Sequence, residues 1–115
     1  MCQSNSWWKY SDIPKGSQWI WESLAGKYKM LKYSGDLDSA VPTQGTLDWI
    51  ATLKNGQPLT ELEPWTIDNE NDVGGYKQEF NGLTFATVHG AGHMVPQDKP
   101  REAYHLIFNW IKNTL

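Results

Sequence analysis

The sequence predicts an α/β fold in which two parallel strands end in motif-bearing loops and helices pack on the faces of the sheet. Three observations lead there. Along the 115 residues, helical and strand patterns follow one another as helix, strand, helix, two short strands, strand, helix, the alternation expected of a parallel sheet with covered faces. The two longer strands both run into glycine-containing turns that carry acids or histidines. An apolar content of 39 % with 13 % aromatic residues is enough for a core and argues against wholesale disorder.

Each element has its own local reason. Ser17 is placed to cap a short helix, SQWIWESLA, which Gly26 would stop in the left-handed position. KYKMLKYSG reads as a strand because it is short and bounded by glycines. After Pro42, Thr43 is the expected N-cap of QGTLDWIATLKN, whose Leu47, Ile50 and Ala51, with Leu53 close by, form one apolar face. Residues 55–63 read as loop. PWTI and GGYKQEF then form two strands around the polar turn DNENDVGG, and GLTFATVHG is a third strand rich in β-branched and aromatic residues. The tail KPREAYHLIFNWIKNTL is an amphipathic helix with Pro100 in its first turn, and Ala103, Leu106, Ile107, Trp110 and Ile111 are expected to face a core.

Composition excludes several classes of function. A net charge of −3 offers no basic patch for nucleic acid or an anionic membrane, so neither is expected as a partner. No apolar run approaches the roughly 20 residues needed to span a bilayer. The start, MCQSNSWWKYSDIPKG, lacks the charged beginning and apolar core of a secretory signal, which fits a protein that is not secreted or a mature or truncated piece. The single cysteine, Cys2, has no intrachain partner and is either a free thiol or bonded to another chain. Seven tryptophans are many for this length, and some are expected at an interface.

Two stretches carry chemistry. In VHGAGHMVP, a strand runs into a glycine-rich loop that presents His93 between Gly92 and Met94. In open α/β folds ligands bind beyond the carboxyl ends of the strands, where this loop would lie. The second stretch, YSGDLDSAVP, is again a strand followed by a tight turn, here with Asp36 and Asp38, and Asp38 precedes His93 by 55 residues. Ends of two parallel strands project from one edge, so an acid on one can orient an imidazole on the other and stabilise the imidazolium that forms in nucleophilic catalysis. The α/β-hydrolase triad runs in chain order nucleophile, acid, histidine, and acid before histidine is the order found here. Taken alone, the two acids also suit an ordinary turn.

YSGDLDSAVPTQGT, VGGYKQEF and TVHGAGHMVPQDKPREA together resemble the C-terminal part of the serine carboxypeptidases, α/β-hydrolases of lysosomes, vacuoles and secretions that release C-terminal amino acids from peptides. The resemblance covers roughly residues 17–115, leaving 1–16 as an irregular N-terminal segment. It implies Asp38 as the triad acid, His93 as the triad histidine, Asp36 as a structural residue holding the turn through backbone hydrogen bonds, and Met94 as a wall of the leaving-group pocket. It implies no cofactor and no metal. The departure is equally plain. The family's nucleophile sits upstream in a Gly-x-Ser-x-Gly elbow, and none of the serines here, Ser17 and Ser34 beside glycines included, has that context.

Other signals point elsewhere more weakly. His89 and His93 stand four apart, a zinc spacing on a helix, but Gly90 and Gly92 oppose a helix there. Asp68, Glu70, Asp72 and Glu79 approach a calcium-loop pattern, but Val73 occupies the position that requires glycine, and a solvated hairpin tip is expected. His105 is expected to be structural or surface.

The sequence therefore leads to the C-terminal segment of a serine-type carboxypeptidase domain, with an upstream chain or segment carrying the nucleophile and a peptide C-terminus as substrate. On its own the chain is expected to be inactive. By the resemblance it belongs in a lysosome or vacuole or outside the cell. The rivals are an acyltransferase or lyase on the same scaffold, and a non-catalytic remnant serving as an interaction module. So few strands also imply at least one open sheet edge and one exposed apolar face, with Trp7, Trp8, Trp19 and Trp21 as candidates for that surface.

Overall fold

Residues 16–68 and 71–115 are described by the computed structural model. The expected features of the first fifteen residues, Cys2, Trp7 and Trp8 among them, and of Glu70 in the polar turn, lie outside the described residues. The chain forms α1 (Gln18–Leu24), β1 (Met30–Gly35), α2 (Thr43–Ala51), β2 (Glu63–Thr66), β3 (Val73–Phe80), β4 (Leu83–Val88), a single turn α3 (Val95–Asp98) and α4 (Pro100–Lys112).

Four strands make one sheet in the order β1-β4-β3-β2. β1 and β4, the strands that carry the acid and histidine loops, pair in parallel from Met30↔Leu83 to Gly35↔Val88. β3 is antiparallel to β2, as the small hairpin expected there requires, and it is also antiparallel to β4, which departs from the expected parallel sheet. The reason is local. Phe80 and Leu83 pair across Asn81-Gly82, and a two-residue connection leaves no length for the crossover that a parallel pair requires. All six residues of β4 are buried, as befits a strand with neighbours on both sides.

Strand pleating divides the core in two. Ala86 and Val88 of β4 point to one face, where they meet Trp65, Ile67, Val95, Ala103 and Leu106, with Leu31 and Tyr33 of β1 alongside. Leu83 and Phe85 point to the other, against Ile50, Leu53 and Phe80, with Trp21 and Trp49 beside them. α4 thus covers one face and α1 with α2 the other. Trp65 is anchored by an indole N–H donated to the Thr87 carbonyl at 2.9 Å.

The helix boundaries show where side chains overrode sequence pattern. Gly26 is left-handed after α1, as expected, whereas Ser17 stands at the start of that helix without a side-chain cap bond. Pro42, not Thr43, is the N-cap of α2, since Thr46 N–H bonds to the Pro42 carbonyl. The Thr43 hydroxyl turns to the Gly35 carbonyl instead. α2 stops at Ala51 rather than near residue 55, because Thr52 and Leu53 donate back to Trp49 and Ile50 and tighten the last turn. That turn keeps Leu53 in the core but leaves Ala51 exposed. In α4, Ala103 and Leu106 are buried and Ile107 and Trp110 half-buried, while Ile111 faces out. The C-terminus of α4 is closed by left-handed Asn113 and by the Lys29 ammonium, which bonds the Trp110 carbonyl and Asn113 Oδ1 while lying over the Trp110 ring.

Candidate active site

The β1–β4 register ends both strands level, with Gly35 opposite Val88. The two loops therefore leave the sheet side by side and interlock. Asp36 N–H bonds to the Val88 carbonyl at 3.2 Å and Leu37 N–H to the Ala91 carbonyl at 3.0 Å. Gly35 permits this approach: a Cβ there would stand 2.2 Å from the Ala91 carbonyl oxygen and 2.4 Å from that of Gly92. Gly90, left-handed at φ +71°, turns the second loop back towards the first.

Within this frame Asp38 meets His93. A carboxylate oxygen of Asp38 lies 2.9 Å from His93 Nδ1. The other oxygen accepts the N–H groups of Ala40, at 2.8 Å, and Val41, at 3.0 Å. The Asp38 side chain is 6 % exposed and the His93 ring 59 %, so the acid is enclosed and the imidazole presented. The Val41 N–H, with the His93 ring and the Ala40 N–H, holds the Asp38 carboxyl below its usual range against the opposing effect of burial. An ionised carboxylate only accepts hydrogen bonds, so His93 Nδ1 must donate, which leaves the lone pair on Nε2. An imidazole in that state can take a proton from a hydroxyl.

A hollow of about 410 Å³ opens beside the pair along the outer side of β1, walled by Trp21, Leu31, Tyr33, Val41 and Val95 as well as Asp38 and His93. A second hollow of about 450 Å³ lies between Trp21, Lys32, Pro42 and Trp49, where the two indoles meet edge to face at 5.3 Å. Met94 is 58 % exposed and its side chain is not part of either wall. Its carbonyl instead accepts the first bonds of α3, from Gln97 and Asp98.

Asp36 makes a second carboxylate–imidazole pair. One oxygen is 2.7 Å from His89 Nδ1 and the other accepts the Gly90 N–H at 2.8 Å. Its partners thus belong to the neighbouring loop rather than to its own turn. Sequence reasoning weighed His89 only as a metal ligand and missed this pairing, which depends on the β1–β4 register that sets Asp36 beside His89. It also missed Asp98, whose carboxylate accepts the Gly92 N–H at 2.8 Å and steadies the residue before His93. Among the described residues no group of three His, Cys, Asp or Glu side chains is arranged to hold a metal ion, and each loop histidine is engaged by a different aspartate. His105 lies 3.6 Å from Asp68, which also pairs with Arg101, so the base of α4 is tied to the tip of the β2–β3 hairpin. No described helix is long and apolar enough to cross a membrane.

Comparison with known proteins places this geometry in context. A family model described as serine carboxypeptidase matches residues 1–113. Serine carboxypeptidase-like 26 of Arabidopsis thaliana is 42 % identical over 106 residues, which is 91 % of this chain and 23 % of that protein. The lysosomal protective protein of Mus musculus is 35 % identical over 98 residues, covering 83 % of this chain and 20 % of that protein. Among solved structures, a prohormone-processing carboxypeptidase from Saccharomyces cerevisiae superimposes with a TM-score of 0.72 at 27 % identity, over 84 % of this chain and 22 % of that one. The chain spans about a fifth of the length of these relatives.

Proposed function

The chain belongs to the serine carboxypeptidase family and has an α/β-hydrolase fold, and from that premise we propose that it supplies the acid and the base of a catalytic triad for releasing C-terminal amino acids from peptides. The observation that carries the reading is the Asp38–His93 pair: an enclosed carboxylate bonded at 2.9 Å to a solvent-facing imidazole beside a hollow. The Asp36–His89 pair, with its acid 32 % exposed and its ring 76 % exposed, fits a loop fastening better than a reaction centre. Asp36 is therefore assigned to structure, and Met94 to a pocket wall completed by another part of the enzyme.

The nucleophile comes from an upstream chain or segment. His93 Nε2 takes the proton of that serine hydroxyl as the oxygen attacks the scissile carbonyl. It then returns the proton to the departing amine, leaving an acyl-serine. Water, deprotonated by the same nitrogen, attacks the ester and frees the serine. Asp38 keeps His93 in the required tautomer and stabilises the imidazolium at each step. β1 is the terminal strand of the described sheet, with its hollow on the open side, which suits docking of the missing segment there. The compartment that fits is a lysosome, a vacuole or the outside of the cell.

The test is to join the chain to an upstream segment bearing a Gly-x-Ser-x-Gly elbow and analyse the products from a blocked dipeptide, an acyl-glucose and a cyanohydrin. Release of the C-terminal amino acid, lost in His93→Ala and severely reduced in Asp38→Asn, is expected. Turnover of the acyl-glucose or cyanohydrin alone would reassign the chemistry. Unchanged activity in His93→Ala would remove the triad reading.

A further inference from the structure

The loop that carries His93 is fastened from outside by a side chain that the reaction does not use. His89, the first residue beyond β4, is held by its backbone N–H to the Gly74 carbonyl at 2.8 Å. Its ring is 76 % exposed, so it contributes little to the core. The directional contact the ring makes is with Asp36 Oδ2, at 2.7 Å. Asp36 Oδ1 in turn accepts the Gly90 N–H at 2.8 Å. We propose that His89 is a positioning residue: by holding the Asp36 carboxylate in one rotamer, it aims the second oxygen at Gly90 and fixes the loop in which His93 reaches Asp38. This rests on the triad reading only for its consequence in catalysis; the geometric claim stands on the two loops alone.

Removing the ring leaves the Asp36 carboxylate bonded to the Gly90 N–H. A partly exposed carboxylate with one backbone partner can rotate into water at little cost. Gly90 N–H would then lose its acceptor, and the turn from Val88 to His93 would be held by the long Ala91–Val88 bond at 3.4 Å and by the Leu37–Ala91 and Gly92–Asp98 bonds. Catalytic side chains need placement to within about 0.5 Å, and His93 is only three residues beyond Gly90. The Asp38–His93 bond would therefore loosen even though neither partner is altered.

Long-range ¹H–¹⁵N NMR of the histidine rings in the 115-residue chain tests this without reference to activity. In the wild type both His89 and His93 should show a single tautomer with Nδ1–H. In His89→Ala, His93 should move to averaged Nδ1 and Nε2 shifts and lose its low-field Nδ1–H signal. His89→Asn, whose amide can donate from nearly the same place, should restore both. The Trp65 indole N–H, bonded within the core, reports whether the fold survives. His93 unchanged in His89→Ala would overturn the proposal, as would equal losses in the Ala and Asn variants. If the Ala variant does not fold, the wild type decides: an averaged His89 ring or an unprotected Gly90 amide overturns the clamp, and a fixed ring with a protected amide supports it. If His93 is unpaired in the wild type, the triad reading falls too, whereas a chain that passes every arm but never gives peptidase activity sinks that reading alone.

Discussion

Replacing Gly35 with alanine should destabilise the protein, while the same change at Gly45 should stabilise it. A Cβ at residue 35 would sit 2.2 Å from the Ala91 oxygen, 2.4 Å from the Gly92 oxygen and 2.6 Å from the Ala91 carbon, all backbone atoms. Since ordinary contact begins near 3.4 Å, the 89–94 loop must retreat by about 1 Å. That movement strains or breaks the Leu37–Ala91 bond and the Asp36–Gly90 bond. Overpacking of this kind costs about 1–3 kcal/mol, and two weakened hydrogen bonds add about 1–2 kcal/mol, so a loss of about 2–5 kcal/mol is expected. Residue 45, in contrast, is in the first turn of α2 with nothing within 4 Å of a new Cβ. Alanine is favoured over glycine by about 0.8–1 kcal/mol in a helix interior, so a smaller gain of about 0.5 kcal/mol is expected at this end position. Urea titrations of the two variants and the wild type measure both signs. The interlocked-loop account is refuted if Gly35→Ala stays within about 0.5 kcal/mol of wild type. In the joined enzyme the same 1 Å shift should lower kcat by about a hundredfold, because it separates His93 from Asp38.

Two further outcomes are expected. Because the folded state holds the Asp38 carboxyl below its ordinary value, its contribution is fully present above the unfolded-chain pKa of about 3.9 and disappears as pH falls through the lower folded value; the stability gap between wild type and Asp38→Asn should be level near neutrality and close in acid, and a gap independent of pH would contradict this. The exposed apolar side chains at α1 and along β1's loops, Trp19, Ile20, Leu37 and Val41, should make the isolated chain bind a hydrophobic dye, with the signal suppressed when an upstream segment is added; equal dye binding with and without that segment would place the docking surface elsewhere.

The elements themselves were legible because each is marked locally. Pro100 opens α4, Gly26 closes α1, and the β-branched run of β4 fills both faces of the core. Chain order and two strand-end motifs pointed to an acid–imidazole pair between the two loops, and the resemblance to the serine carboxypeptidases singled out Asp38, which meets His93 across 55 residues. The antiparallel β3–β4 pair was also written locally, in the two-residue Asn81-Gly82 connection, but helix–strand alternation outweighed it. Less accessible were features that depend on register. Asp36 looks like a residue bonding within its own turn, yet its acceptors are spent on His89 and Gly90 of the other loop. Similarly, the outward placement of Ala51 and Ile111 follows from where helices end and what the sheet leaves uncovered, neither of which periodicity can resolve.

The same register explains why two aspartates two residues apart have different environments. Asp36 continues β1 by one position, directly beside His89, and its backbone still bonds to Val88 as though the sheet went on. Its side chain therefore meets the strand-proximal part of the second loop. Asp38 comes after the turn, where its own N–H bonds back to the Gly35 carbonyl and the following N–H groups of Ala40 and Val41 close on its carboxylate. That turn withdraws Asp38 from water and points its remaining oxygen at the far end of the second loop, where His93 stands. Had Asp36 faced the imidazole of His93, the acid would have lacked those two backbone donors, which favour the ionised carboxylate against the effect of its enclosure. The spacing Gly-Asp-x-Asp thus sets the two geometries in order: the first acid bonds to His89 and to the Gly90 N–H, and the second, sheltered by its own turn, bonds to His93.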